Sequence, residues 1–213
     1  MGDNNQEILK RLGAAYADKR SALRYENAYQ LLVATILAAQ CTDKRVNLVT
    51  KDFFVRFPDA VALSRGEIGE IEQLIKTCGL YKSKAKNLLS SAKCLTEAFG
   101  GQVPRTMEEL VSLAGVGRKT ASVVLAYAFH IPAMAVDTHV GRVAYRLGLA
   151  NSKNPVRIEQ QLCALIPREK WADAHHWLIW HGRLVCHARK PECAKCVVVD
   201  LCPSAYTGIP SGL

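Results

Sequence analysis

No apolar run in the chain approaches the roughly 18 residues that a membrane-spanning helix needs. The longest, around Leu31 to Ala39, is about half that length, which argues against a membrane span. The opening residues, Met1 to Glu7, are polar and acidic. They lack the basic stretch and apolar core of a secretory signal. Alternating apolar segments joined by Asn-Gly or Asp-Gly turns are missing, and with them the usual signature of a hairpin sheet. Low-complexity tracts and repeats at a 20–50-residue period are absent too, which excludes solenoids and propellers. No stretch has the composition of a linker; His130-Ile131-Pro132 is the best candidate for a domain crossing. Acidic residues are scarce: 19 Asp and Glu stand against 28 Lys and Arg. The balance is +9, with a pI near 9.2, and points to a polyanionic partner, nucleic acid first.

What is present is an ordinary soluble composition, 49% hydrophobic and 22% charged over 213 residues. That length suits one large or two small domains and buries roughly 70% of the unfolded surface. The apolar spacing is helical almost throughout. Helices are expected over 29–40, 68–77, 82–99, 118–129, 140–147, 155–165 and 170–184. Another starts near Pro104, where Thr106 and Glu109 have capping-box spacing. Gly100-Gly101 and Gly148 read as helix stops. The fold class is therefore all-α, with roughly ten helices.

Eight cysteines without an export signal favour metal ligands or buried thiols over disulfides. Cys186, Cys193, Cys196 and Cys202 have the spacing C-x6-C-x2-C-x5-C. Four thiolates in one short loop can wrap a metal centre. Zinc more typically uses two C-x2-C knuckles. One such pair with flanking single cysteines, and Pro203 after the last, leans toward a 4Fe-4S cluster, with zinc the alternative. Such a cluster adds a net charge of about −2 with its ligands, leaving the protein basic. Cys41, Cys78, Cys94 and Cys163 read as small core residues. Arg189 and Lys190, between the first two clustered cysteines, are candidates for phosphate contact, with Lys195 nearby.

Leu113-Ala-Gly-Val-Gly-Arg-Lys-Thr-Ala121 lies between two expected helices. Gly115 and Gly117 let the backbone approach a ligand closely, and the following helix N-terminus favours an anion. On duplex DNA such a turn grips phosphate without reading sequence. Lys119, beside Arg118 and at a helix start, sits in positive potential, which favours the neutral, nucleophilic amine. Read alone it is an ordinary surface lysine. Asp137, opening Val136-Asp-Thr-His-Val140, is by local chemistry a helix N-cap.

In combination these segments resemble the endonuclease III family of DNA repair glycosylases. The matching pieces are residues 31–43 (LLVATILAAQCTD), 79–85 (GLYKSKA), 113–121 (LAGVGRKTA), 136–140 (VDTHV), 175–183 (HHWLIWHGR) and the cysteine run. They span about residues 25–205 in the family's order. The resemblance implies a two-domain helix-hairpin-helix glycosylase fold. A six-helix barrel domain covers 22–131, and residues 1–21 with 132–213 form the iron–sulfur cluster domain. It implies a bifunctional enzyme that removes oxidised pyrimidines from double-stranded DNA and nicks the abasic site by β-elimination. The damaged nucleotide is extruded first, because its sugar is unreachable inside the stack.

By position, Lys119 attacks C1′ and forms a Schiff base, and Asp137 stabilises positive charge on the sugar and helps activate the lysine. Gln40 fills the gap left by the extruded base and Leu80 wedges the opposite strand. Gly115, Val116, Gly117 and Arg118 hold backbone phosphate, and His139 lines the base pocket. The four clustered cysteines carry one 4Fe-4S cluster, structural rather than catalytic. The resemblance further implies a monomer, cytoplasmic and associated with the nucleoid. Lys119 separates the chain from the similar adenine-mismatch glycosylases, which lack a lysine there. Ala114 departs from the family, where proline is common, and leaves the turn less pre-set. The rival readings are a non-catalytic iron–sulfur DNA-binding protein, which needs neither Lys119 nor Asp137, a zinc-stabilised module, and a glycosylase of this fold with another lesion specificity.

Overall fold

The computed structural model of the chain describes residues 2–19 and 21–206. Its helices, in chain order, are α1 (Gly2–Ala15), α2 (Ala28–Ala38), α3 (Asp43–Arg56), α4 (Ala60–Ser64), α5 (Ile68–Ile75), α6 (Tyr81–Phe99), α7 (Met107–Ser112), α8 (Arg118–Ala128), α9 (Thr138–Arg146), α10 (Pro155–Leu165) and α11 (Trp171–Leu184). Short 3-10 turns cover Arg168–Lys170, Cys193–Lys195 and Val199–Leu201. No strand occurs among the described residues. The all-α expectation holds.

The chain divides into two compact units. One is Ser21–Ile131; the other joins Met1–Arg20 to Pro132–Leu213, as far as these are described. The first is organised around α2, whose residues from Leu31 to Leu37 are all buried. Asn27 caps it, accepting from the Gln30 amide at 2.9 Å. Helices α3, α6 and α8 pack on it, and α4 and α5 pack on α6. Phe53, Phe57, Leu63, Ile71, Ile75, Leu88 and Leu95 fill the core between them. Seven helical segments lie here, where six were expected; one of them, α4, spans only five residues. The capping box at Thr106 is formed: Thr106 Oγ1 accepts from the Glu109 amide at 3.3 Å and donates to its carboxylate at 2.7 Å.

The second unit packs α1, α9, α10 and α11 around a core that includes Ile8, Leu12, Val140, Val143, Leu162 and Leu178. Gly182 of α11 lies so close to α9 that an added Cβ would sit 3.1 Å from Val143 Cγ2, His139 Cβ and Arg142 Nη2. A side chain there would be tight against α9, whose side chains would have to give by a few tenths of an ångström. Arg11 of α1 pairs with both oxygens of Asp200 at 2.8 and 3.0 Å, fastening the N-terminal helix to the last cysteine loop.

Three helices, α1, α3 and α4, go beyond the sequence reading. The buried set of α3, Val46, Val49, Thr50 and Phe53, has regular helical spacing, and Thr42 caps it. Of the four scattered cysteines only Cys78 is buried; Cys41, Cys94 and Cys163 are half-buried. Burial pushes the Cys78 thiol up to about 11.

Candidate nucleic-acid interface and metal centre

The glycine hairpin joins α7 to α8. Val116 N–H donates to Leu113 O at 3.1 Å, and Ser91 Oγ donates to Ala114 O at 2.6 Å. The second bond pins the turn from α6 at the position where proline is absent. Gly115 has φ +78°, and a Cβ there would lie 2.9 Å from the Asn87 side chain. Both sterics and backbone demand glycine. We expect Gly115→Ala to destabilise the protein by about 1–3 kcal/mol. A denaturation midpoint equal to wild type would refute this account of the turn.

Gly117 is the N-cap of α8 and offers no side chain to its leading amides. Gly115, Gly117, Arg118 and Lys119 are exposed, whereas the Val116 side chain is buried. Val116 thus serves the hairpin as an apolar anchor, and only its backbone belongs to the outer surface.

Two further turns lie on the same unit. Gln40 follows α2 with φ +53°, and Leu80 precedes α6 with φ +58°. Non-glycine residues rarely adopt this left-handed conformation, and it costs of order 1 kcal/mol or more. Both side chains are exposed, Leu80 by 60%. The turns adjoin: a Cβ on Gly79 would lie 3.3 Å from Gln40 O. Leu80, which reads as a core leucine if taken alone, is presented to solvent at a strained position.

Asp137 caps α9, with Oδ1 accepting from the Val140 amide at 2.8 Å. It is half-buried, so its second carboxylate oxygen is available for other work. His139, two residues on, is held by Arg142: Nη2 donates to His139 Nδ1 at 3.1 Å. Arg142 also donates to Gly182 O at 2.9 Å and to Cys186 O at 3.1 Å. Burial is the main cause that lowers the His139 pKa.

The four clustered cysteines line one pocket of about 360 Å³, part of it open to solvent. Arg146, His181, Pro191 and Val199 share its wall. Arg146 comes from α9: Nη1 donates to Cys186 Sγ at 3.4 Å and His187 O at 2.7 Å, and Nη2 to Ala188 O at 2.8 Å. Its Nε is buried without a partner. Burial pushes the Cys196 and Cys202 thiols up, so ligation must displace protons. Four thiols spread around a cavity, with a buried guanidinium against them, fit a polynuclear group of net negative charge.

In the adjoining loop Arg189 and Lys190 are exposed. Lys195 is paired with Glu192, which also meets His187 at 3.4 Å, so Lys195 contributes little free charge. Nothing local in the sequence shows what Arg142, Arg146 and His181 meet, although His181 lies in the matching piece 175–183. Their importance lies in carbonyls and sulfurs that arrive from 15 to 44 residues downstream.

Comparison with known proteins gives a consistent result. The model of the HhH-GPD superfamily of base excision DNA repair proteins matches residues 33–168. The model of the iron–sulfur binding domain of endonuclease III matches residues 186–202. Endonuclease III of Synechocystis is 52% identical over 200 residues, covering 93% of this chain and 91% of that protein. Endonuclease III of Escherichia coli K12 is 44% identical, covering 92% and 93%. Among solved structures, a trapped endonuclease III–DNA covalent intermediate in an estranged-adenine complex superposes with TM-score 0.93 at 38% identity, covering 96% of this chain and 97% of that one.

Proposed function

The chain belongs to the endonuclease III family, and on that premise we propose that Lys119 and Asp137 carry its reaction. It is a base excision DNA repair enzyme, a DNA glycosylase and abasic-site lyase, and it carries one 4Fe-4S cluster. Cys186, Cys193, Cys196 and Cys202 hold the cluster. It contributes a rigid, covalently tied loop, and no step of base removal passes through it. The six-helix barrel domain corresponds to Ser21–Ile131 and the cluster domain to the remainder.

The observation that carries the reading is the exposed Lys119 on the first turn of α8, directly behind a glycine hairpin built to meet phosphate. The neutral amine attacks C1′ of the extruded nucleotide. The N-glycosidic bond breaks, and the base leaves with the bonding electron pair and takes up a proton. Loss of an amine proton with opening of the sugar ring gives the Schiff base. Removal of a C2′ proton then expels the 3′ phosphate. Asp137 accepts the amine proton and stabilises the cationic sugar.

The substrate is double-stranded DNA carrying an oxidised pyrimidine or an abasic site, bound by a monomer. Gln40 enters the gap left by the extruded base and Leu80 wedges the opposite strand; their exposed, left-handed backbone positions support this. His139, half-buried and held by Arg142 two residues after Asp137, lines the base pocket. Arg189 and Lys190, with the amides of Gly115 to Arg118, take backbone phosphates.

Replacing Arg189 and Lys190 together by alanine is expected to lower DNA affinity and flatten its salt dependence by roughly two phosphate contacts. A titration across salt concentrations with an unchanged slope would remove these residues from the interface. The reaction is tested by borohydride trapping on a duplex with one thymine glycol. A covalent adduct with wild type supports it, and intact binding without an adduct overturns it.

A further inference from the structure

A hydrogen-bonded line runs from the N-terminal helix to one cluster ligand. Tyr16, which extends α1 by donating its amide to Leu12 O, places its Oη 3.0 Å from His181 Nδ1. The other ring nitrogen, Nε2, lies 3.6 Å from Cys196 Sγ. Both side chains are buried, His181 at 1% exposure, and the two rings meet edge to face at 5.8 Å. The geometry points to His181 as the hydrogen-bond donor to the Cys196 ligand. Tyr16 is the positioning residue that holds it there, so that the N-terminal helix sets the reduction potential of the bound cluster.

The assignment follows from proton counting. A free Cys196 thiol can donate or accept, and either His181 tautomer satisfies the line. A ligating thiolate only accepts. Ligation therefore requires the proton on Nε2, and Nδ1 must then accept from the Tyr16 hydroxyl. No rearrangement of the backbone is needed for this change; one proton moves around the ring and one hydroxyl rotates.

An N–H···S bond draws charge from the ligating sulfur and so favours the more electron-rich cluster, raising the potential. Arg146 plays a corresponding part at Cys186 with a formal charge, at 3.4 Å. Tyr16 makes its hydrogen bond to His181 and acts on the ligand through that ring. Its removal leaves a buried Nδ1 without a donor and loosens the ring that must face sulfur. The inference rests on the four cysteines holding the cluster.

The test is film voltammetry of the iron-loaded protein, exchanging one electron with the electrode, for wild type, Tyr16→Phe, His181→Leu and His181→Gln. Iron per chain and helix content are measured alongside. Glutamine places an amide N–H near the position of Nε2. Tyr16→Phe and His181→Leu are expected to shift the midpoint negative, the leucine variant further. His181→Gln should recover most of that shift. The visible absorbance of the leucine variant should also bleach several-fold faster in air.

Midpoints equal to wild type in Tyr16→Phe and His181→Leu overturn the proposal. So does a glutamine variant that behaves as leucine does. If the leucine variant loads no iron, a Tyr16→Phe midpoint equal to wild type still overturns the proposal, and a negative shift in it supports the proposal. A wild-type protein that folds and never holds iron overturns the cluster assignment instead.

Discussion

Lys119→Gln is expected to abolish strand scission and borohydride trapping while leaving the fold and DNA affinity in place. The expected fall in turnover is at least about 10³-fold, as for loss of other covalent nucleophiles. Glutamine keeps much of the side-chain length and the helix propensity of lysine, so α8 loses little. The residue is exposed, and a surface substitution of this kind changes stability by about 0.5 kcal/mol or less. Binding is measured at fixed salt, because one cation is removed from a basic surface and the effect of charge alone depends on ionic strength. Cluster absorbance, measured on the same preparation, shows that the iron centre is unaffected. Undiminished nicking by a clean preparation of the variant would place the nucleophile elsewhere. Intact binding without nicking by the wild type would instead favour the non-catalytic reading.

Asp137→Asn separates two duties of one side chain. As N-cap, Asp137 accepts from the Val140 amide at 2.8 Å. Asparagine caps about as well as aspartate, so the start of α9 survives. The negative charge does not. Turnover is expected to fall roughly 10²–10⁴-fold, the range for loss of a general base and charge stabiliser, with the thermal midpoint nearly unchanged. Asp137→Ala removes the cap as well and should cost about 1 kcal/mol more in stability. The comparison is single-turnover kinetics on an abasic duplex and on a thymine glycol duplex, beside thermal unfolding. An unchanged rate in the asparagine variant reduces Asp137 to a helix cap.

These substitutions test residues whose types and positions are legible without coordinates. The capping box at Thr106, the stop at Gly100 with φ +58°, and the N-cap at Asp137 all form where local spacing places them. Each depends on groups within about four residues, and such interactions are written in the chain itself. The four cysteines are legible for a similar reason, since they lie within one loop. The helix α3 carries its signal in the chain as well, in the Thr42 cap and the spacing Val46, Val49, Thr50, Phe53. For α1 the signal was fainter, because Ile8, Leu9 and Leu12 follow a polar start. Lys195 shows the opposite limit, for a salt bridge to Glu192 removes charge that the sequence offers freely.

By itself, then, the sequence determined an all-α chain, a basic surface, a glycine hairpin ahead of Arg118 and Lys119, and a loop with four thiols. Turn chemistry, helix period and ligand spacing act over a few residues, and no fold is needed to state them. The tertiary structure decided which side chains these elements meet. It turned Leu80 outward at a left-handed position beside Gln40, and it buried Val116. It set Arg146 against Cys186 and Tyr16 against His181, pairs separated by 40 and 165 residues. A buried donor takes whichever acceptor the packing of distant helices brings within about 3 Å, and no local pattern encodes that choice.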